Sequence, residues 1–125
     1  MFSRLVFNIL CGNTDDHARN HAAFWNGKEL TLTPAYDICP QGRAGNEASQ
    51  AMLISDNNNL SQLKTCLATA HNFLLSEVQA RAIFEKLTAA IQQHWDAVRE
   101  EAELNEVDRR MLWERQFLNP FSTKL

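Results

Sequence analysis

The sequence predicts a domain that is mainly α-helical and contains one small β-hairpin. Several segments place apolar residues at the spacing of one helix face, whereas residues 22–33 have the pattern of two short strands joined by a tight turn. The length of 125 residues suits one domain with one modest core. We therefore expect a mainly helical domain with one β-hairpin in the first part of the chain.

The first predicted element is a helix over residues 2–11, which ends at Gly12. Its apolar residues recur at steps of three and one: Phe2, Leu5, Val6, Ile9 and Leu10. The segment does not fit a signal peptide, because Asn8 interrupts the apolar run and no small-residue cleavage site follows. No segment approaches the roughly 20 apolar residues that span a bilayer, so we expect a soluble protein with no membrane partner.

The hairpin is predicted over residues 22–33, with Asn26 and Gly27 as a two-residue turn. The segment 34–40, PAYDICP, follows and is expected to be extended at least in part. Small polar residues then predict a loop over 41–50, which we expect to be the most mobile internal region. The next apolar run, AMLIS, favours a short strand.

A helical bundle is predicted over residues 60–118. Its first helix covers about 60–70, and its last covers about 106–117 with Asn105 as the N-cap. A capping box at 76–79, Ser followed by Gln, begins a long helix between them. One face of this long helix is predicted to carry the apolar residues Val78, Ala82, Ile83, Leu87, Ala90, Ile91 and Val98.

Charge and cysteine content exclude several classes of function. The net charge is -3, with 12 basic and 15 acidic residues interspersed, so nothing attracts the whole domain to nucleic acid. Cys11, Cys39 and Cys66 cannot all pair within one chain, and none has a metal-ligand spacing. We expect reduced thiols and a cytoplasmic location.

The polar residues are concentrated in GNTDDHARNH, residues 12–21. One interpretation is a turn, because Asn, Thr and Asp favour turns and helix caps. The other rests on spacing, since four residues separate Asp15 from Asn20 and the hairpin then returns the chain to Asp37. Protein kinases place a catalytic Asp, a metal-binding Asn and a second metal-binding Asp in this order. A carboxylate can accept a hydroxyl proton, and amide and carboxylate oxygens suit Mg²⁺.

Two stretches, FNILCGNTDDHARNHAAFW and LTLTPAYDICP, resemble the C-terminal lobe of the HipA family. These are serine/threonine kinases that act as toxins in bacterial toxin–antitoxin pairs, and a more diffuse similarity extends to about Leu118. The resemblance implies a kinase-like lobe with its catalytic loop at 12–21 and its metal-binding segment at 34–40. It also implies ATP and Mg²⁺ as cofactors of the complete kinase, and protein serine or threonine hydroxyls as acceptors.

Individual roles follow from the same resemblance. Asp15 is the implied catalytic base, and Asn20 and Asp37 are the implied Mg²⁺ ligands. His17 is placed near the γ-phosphate, with packing of the loop as its alternative role. Ile38 and the residue after it replace the Phe and Gly of the D-F-G motif, so a switch based on a flipping Phe is not implied.

The chain has no G-x-G-x-x-G loop, and no N-terminal lobe with its nucleotide-binding Lys precedes the loop. We therefore expect a lobe that is inactive without an N-terminal partner lobe, and Met1 is either a native start or a boundary within a longer kinase. A first alternative is a non-enzymatic interaction module, with a helix-turn-helix antitoxin as its candidate partner. A second is a metal-dependent hydrolase, because His17 and His21 would share a helical face with Asp15 or Asp16 nearby.

Overall fold

A computed structural model describes all residues, 1–125. It contains five α-helices and one two-stranded sheet: α1 (Phe2–Leu10), β1 (Ala23–Trp25), β2 (Leu30–Leu32), α2 (Leu63–Thr69), α3 (Glu77–Glu101), α4 (Glu106–Leu112) and α5 (Pro120–Thr123). Single turns of 3₁₀ helix lie at Ala18–Asn20 and Ala70–Phe73. The predicted class, mainly α with one hairpin, is confirmed. None of the helices combines the length and the apolar character needed to cross a membrane.

Helix α1 is the centre of the core. It packs against α2, α3 and α5, and its residues Val6, Ile9 and Leu10 are fully buried. The ring of Phe2 stacks on Phe84 of α3 with centroids 6.1 Å apart. Each fully buried side chain of this size contributes roughly 1.5–3 kcal/mol. The apolar spacing read from residues 2–11 therefore predicts the element that organises the domain.

The exit from α1 is fixed by a glycine. Gly12 has φ +74°, and a Cβ atom there would lie 2.5 Å from the carbonyl oxygen of Gln116. The next amide, of Asn13, donates to the carbonyl of Asn8 at 2.8 Å. A side chain at position 12 would collide with the C-terminal segment, so this position requires glycine. The left-handed backbone of Gly12 sets the direction in which the polar loop leaves the helix.

The hairpin pairs Ala23 with Leu32 and Trp25 with Leu30 in antiparallel register. The expected two-residue turn is wrong, because four residues connect the strands. The side-chain oxygen of Asn26 accepts hydrogen bonds from the amides of residues 28 and 29, at 2.9 and 3.0 Å, and so caps a longer turn. The side chains of both strands are exposed, so the sheet adds nothing to the core.

Helix α3 begins at the predicted capping box, and its buried face overlaps the predicted one in part. Ser76 accepts from the amide of Gln79 at 3.2 Å, and the Gln79 side chain accepts from the Ser76 amide at 2.9 Å. Val78 is 78% exposed, and the fully packed positions are Ala80, Phe84 and Ile91. Ile83 and Leu87 of the predicted face do pack against the core. The prediction failed at the exposed Val78 and by omitting Phe84, whose aromatic partner is on α1.

Other boundaries in the structure also differ from the predicted ones. Residues 51–55 form no strand, since Ser55 pairs with Asn58 across a turn. Helix α2 starts at Leu63 rather than near residue 60. Helix α4 has the predicted Asn105 cap but ends five residues early.

Helix α4 ends early because the chain extends at Trp113, whose ring stacks on Trp95 with centroids 4.9 Å apart. Continuing the helix would give up this aromatic contact. The short α5 was not predicted, although Asn119 followed by Pro120 is a typical helix start.

Candidate functional site

The polar loop between α1 and β1 buries some of its side chains and exposes others. Asn13, Asp16 and Asn20 are buried, whereas Asp15 is exposed. The loop therefore has an inner face that is fixed by hydrogen bonds and an outer face that is open to a reactant. A simple surface turn would not bury three of its polar side chains.

The central contact of the site joins Asn20 to Asp37. The Asn20 Nδ2 group donates to Asp37 Oδ2 at 3.0 Å, and Asn20 Oδ1 accepts from the amide of His17, also at 3.0 Å. Asp37 has φ +55°, a left-handed conformation that Asp tolerates better than most residues. The sequence predicts that Asp15, Asn20 and Asp37 converge, and the structure brings Asn20 and Asp37 together.

Asp15, the predicted catalytic base, takes no part in the contact between Asn20 and Asp37. It lies on the exposed side of the same loop and forms no hydrogen bond with Asn20 or Asp37. His17, two residues later, is half-buried, and its Nδ1 atom has no hydrogen-bond partner in the chain. The catalytic roles predicted for these two residues stay predictions.

A second pair, Asp16 and His21, joins the middle of the polar loop to its end. His21 Nε2 lies 2.6 Å from Asp16 Oδ1, and the side chains are 13% and 3% exposed. The hydrolase alternative required these residues to gather around a metal. No three His, Cys, Asp or Glu side chains in the chain converge in that way, so the structure gives this alternative no ligand set.

A buried polar network supports the loop from below. Asn8 Nδ2 donates to the Arg4 carbonyl at 3.0 Å, Asn13 Nδ2 donates to Asn8 Oδ1 at 2.7 Å, and Gln50 Nε2 donates to the Asn13 carbonyl at 3.0 Å. The guanidinium of Arg4 also donates to the carbonyl of Thr33, at the end of the hairpin. Sequence analysis missed this network, and its one signal was the polar Asn8 on the buried face of an apolar helix.

The segment 34–40 is attached to the loop at a second point. The Tyr36 hydroxyl donates to the carbonyl of Arg19 at 2.9 Å. Between loop and segment lies a cavity of about 10 Å³, lined by Arg4, Asp16, Asn20, Tyr36 and Asp37 among others. This volume accommodates about one water molecule, so any nucleotide would have to bind on the open side of the loop.

The following loop, residues 41–50, is held at separate points rather than packed along its length. Arg43 Nη2 donates to Ser122 Oγ at 3.0 Å, and burial lowers the Arg43 pKa. Gln50 is buried under the polar loop, whereas residues 44–47 are exposed. The mobility expected for this loop stays a prediction.

The donor set at Asn20 and Asp37 fits Mg²⁺. Both side chains offer hard oxygen atoms, and Asp37 Oδ1 makes no hydrogen bond within the chain. Asn20 Oδ1 has a second lone pair besides the one that the His17 amide uses. Two protein ligands suit an ion that keeps phosphate and water ligands.

Comparison with protein families gives one match. The model of the HipA-like C-terminal domain matches residues 1–95, which include the polar loop, the hairpin and the segment 34–40. The match stops short of Leu118, where the sequence resemblance had been placed, and α4 and α5 lie outside it. No curated protein and no solved structure matches the chain.

Proposed function

The chain belongs to the family of HipA-like C-terminal domains, and from that premise we propose that it is the C-terminal lobe of an ATP-dependent protein serine/threonine kinase. The observation that carries the proposal is the contact between Asn20 and Asp37, two residues far apart in sequence that the hairpin brings together. In the proposed site, Asp15 is the catalytic base and Asn20 and Asp37 hold Mg²⁺. His17 contacts the transferred phosphate.

The exposure of each group suits its proposed task. Asp15 is open to solvent, so its carboxylate can reach the hydroxyl of a protein substrate, orient it and accept its proton. His17 is half-buried, and because its Nδ1 atom is covered, Nε2 is the ring nitrogen left to donate to a phosphate oxygen. Bound Mg²⁺ supplies positive charge that neutralises the phosphate oxygens. The left-handed backbone at Asp37 is a conformation that recurs at functional sites.

An N-terminal lobe is the proposed partner that completes the site. Nothing in this sequence supplies the glycine-rich loop and Lys that hold nucleotide in kinases. The hairpin and the segment 34–40 expose a set of large apolar side chains: Phe24, Trp25, Leu30, Leu32, Tyr36 and Ile38. We call this set the hairpin surface, and we propose that the missing lobe covers it.

The same hairpin surface favours one other function. A lobe that has lost its catalytic partner could keep this surface to bind another protein, and a helix-turn-helix antitoxin is the candidate partner. In that case Asp15 would be dispensable. The two proposals therefore differ in whether an N-terminal lobe restores phosphate transfer.

The test is a radiolabelled-ATP phosphorylation assay of this chain, alone and supplied with a kinase N-terminal lobe from the adjoining coding sequence or from the same genome. We expect no transfer by the chain alone, because positioning and charge stabilisation supply most of the rate in phosphoryl transfer. The combined protein should be active, and Asp15→Asn should lower its rate about 10²–10⁴-fold.

Asp56→Asn is the matched control, since Asp56 is exposed and its left-handed conformation also accepts Asn. Activity of the short chain that disappears with Asp15→Asn would show that the lobe is sufficient. A combined protein that binds nucleotide but transfers no phosphate would favour the interaction module.

A further inference from the structure

We propose that Asp16 and His21 act as positioning residues that hold Asn20 in place opposite Asp37. The pair is called the loop clasp below. This inference rests on the metal site of the proposed function, to which it adds two residues that the predicted roles leave unassigned. Neither residue is proposed to touch substrate or metal.

The geometry of the loop clasp makes it a rigid connection. The 2.6 Å contact joins Asp16, two residues before the 3₁₀ segment, to His21, directly after it, so the turn Ala18–Asn20 lies inside a closed loop. Exposed ion pairs add little because both side chains remain free to move. Asp16 is 3% exposed, and its carboxylate would be buried without a charged or hydrogen-bonding partner if His21 were absent.

The proton of the imidazole can be placed from its partners. Nε2 faces a carboxylate oxygen and must therefore carry the hydrogen, whereas Nδ1 is buried and has no partner in the chain. This hydrogen bond exists for the neutral ring as well as for the charged one. The role of the clasp is therefore geometric and does not depend on a change of charge.

Asn20 is the residue through which the clasp acts. It immediately precedes His21, and its Oδ1 atom is held from the other side by the amide of His17. With the clasp closed, the backbone on both sides of Asn20 is fixed and the carboxamide points to Asp37. With the clasp open, Asp16 and His21 are no longer held together, and the Asn20 carboxamide loses its orientation although the core is unchanged.

The test uses nuclear magnetic resonance of this chain, with two readouts. The first is the pair of Asn20 side-chain amide resonances in metal-free protein, which the contact with Asp37 should shift from the free-amide position. The second is the site-specific broadening of amides near Asn20 and Asp37 as Mn²⁺ is added. His21→Ala should return the Asn20 side-chain resonances to the free position and raise the Mn²⁺ concentration for half-broadening at least fivefold.

Rescue separates a positioning role from a general loss of structure. His21→Gln places an amide donor near the position of Nε2, so it should restore both readouts at least in large part. His71→Gln changes an exposed histidine and serves as the matched control. Should His21→Ala unfold the chain, Asp16→Asn, which keeps a hydrogen-bond acceptor for Nε2, is expected to resemble the wild type.

Each outcome has a distinct meaning. If folded His21→Ala leaves the Asn20 resonances and the Mn²⁺ broadening unchanged, the clasp proposal is wrong. If folded His21→Gln behaves like His21→Ala, the hydrogen bond is not what positions Asn20, and the proposal also fails. If the wild type shows no broadening near Asn20 and Asp37 while His21→Ala still releases the Asn20 side chain, the clasp stands and the proposed metal site fails.

Discussion

Helix α1 and the hairpin flank the same polar loop, yet they are held in opposite ways. Val6, Ile9 and Leu10 of α1 have no exposed surface, whereas Phe24 and Leu30 of the hairpin are 63% and 70% exposed. The first element is fixed by apolar packing. The hairpin is attached by polar contacts such as the bond from Arg4 to Thr33, and the segment after it by the bond from Asn20 to Asp37. The core can therefore be stable on its own while the site geometry depends on a few hydrogen bonds.

The largest expected effect tests this contrast directly. Ile9→Ala removes a fully buried side chain and should lower the free energy of unfolding by about 2–5 kcal/mol. Leu30→Ala, the matched truncation on the hairpin, should change it by less than about 0.5 kcal/mol. Urea denaturation measures both. Equal losses would mean that the hairpin is part of the folding core.

The second prediction concerns the buried thiols and alkaline pH. Burial raises the pKa of Cys11 to about 11 and that of Cys66 to about 12, from an ordinary value of 9.0. Above pH 9 the unfolded chain releases protons that the folded chain keeps, so stability is fully present below pH 9 and falls as the pH rises toward the folded values.

The loss should reach about 2 kcal/mol for each buried thiol at about pH 10.5, at roughly 1.4 kcal/mol per unit. Urea denaturation at a series of pH values measures the slope, which Cys66→Ala should reduce. Cys39→Ala is the control because Cys39 is exposed. An identical slope in both variants would contradict the burial argument.

The smallest expected effect is local to the hairpin. Arg4→Met keeps the length of the side chain but removes the hydrogen bond to the Thr33 carbonyl. Backbone amides of the hairpin should exchange with deuterium about fivefold faster, because losing one hydrogen bond costs on the order of 1 kcal/mol. Amides of α1 should be unaffected. Lys28→Met, in the exposed turn, is the control, and uniform acceleration across the chain would contradict a local role.

The sequence predicted those parts of the fold and site that depend on spacing along the chain. Helix α1 followed from its apolar steps, and the approach of Asp37 to Asn20 followed from a hairpin between them. The buried face of α3 could be found only in part in this way, since Phe84 is buried by an aromatic partner on another helix. Equally, the pairing of Asp16 with His21 depends on the loop conformation, because residues five apart have no fixed relation outside regular structure.

The polar network shows a different limit of sequence analysis. Asn8 occupies a buried position on an apolar helix, and only the three-dimensional structure shows that Asn13 is its partner. Gln50, which completes the network, comes from a segment that composition identified only as a loop. The roles of Asp15 and His17 remain predictions, since no contact within the chain tests them.

The contact between Gly12 and Gln116 implies that the folded unit extends beyond the residues that the family model matches. The family match ends at residue 95, but the Leu118 amide donates to the Leu10 carbonyl at 2.8 Å and Trp113 stacks on Trp95. A chimera that joined residues 1–95 to the tail of another family member would need a tail that packs closely against Gly12 and supplies an aromatic partner for Trp95. The helix that the tail covers therefore constrains the sequence of the tail, even though the match to the family model ends before it.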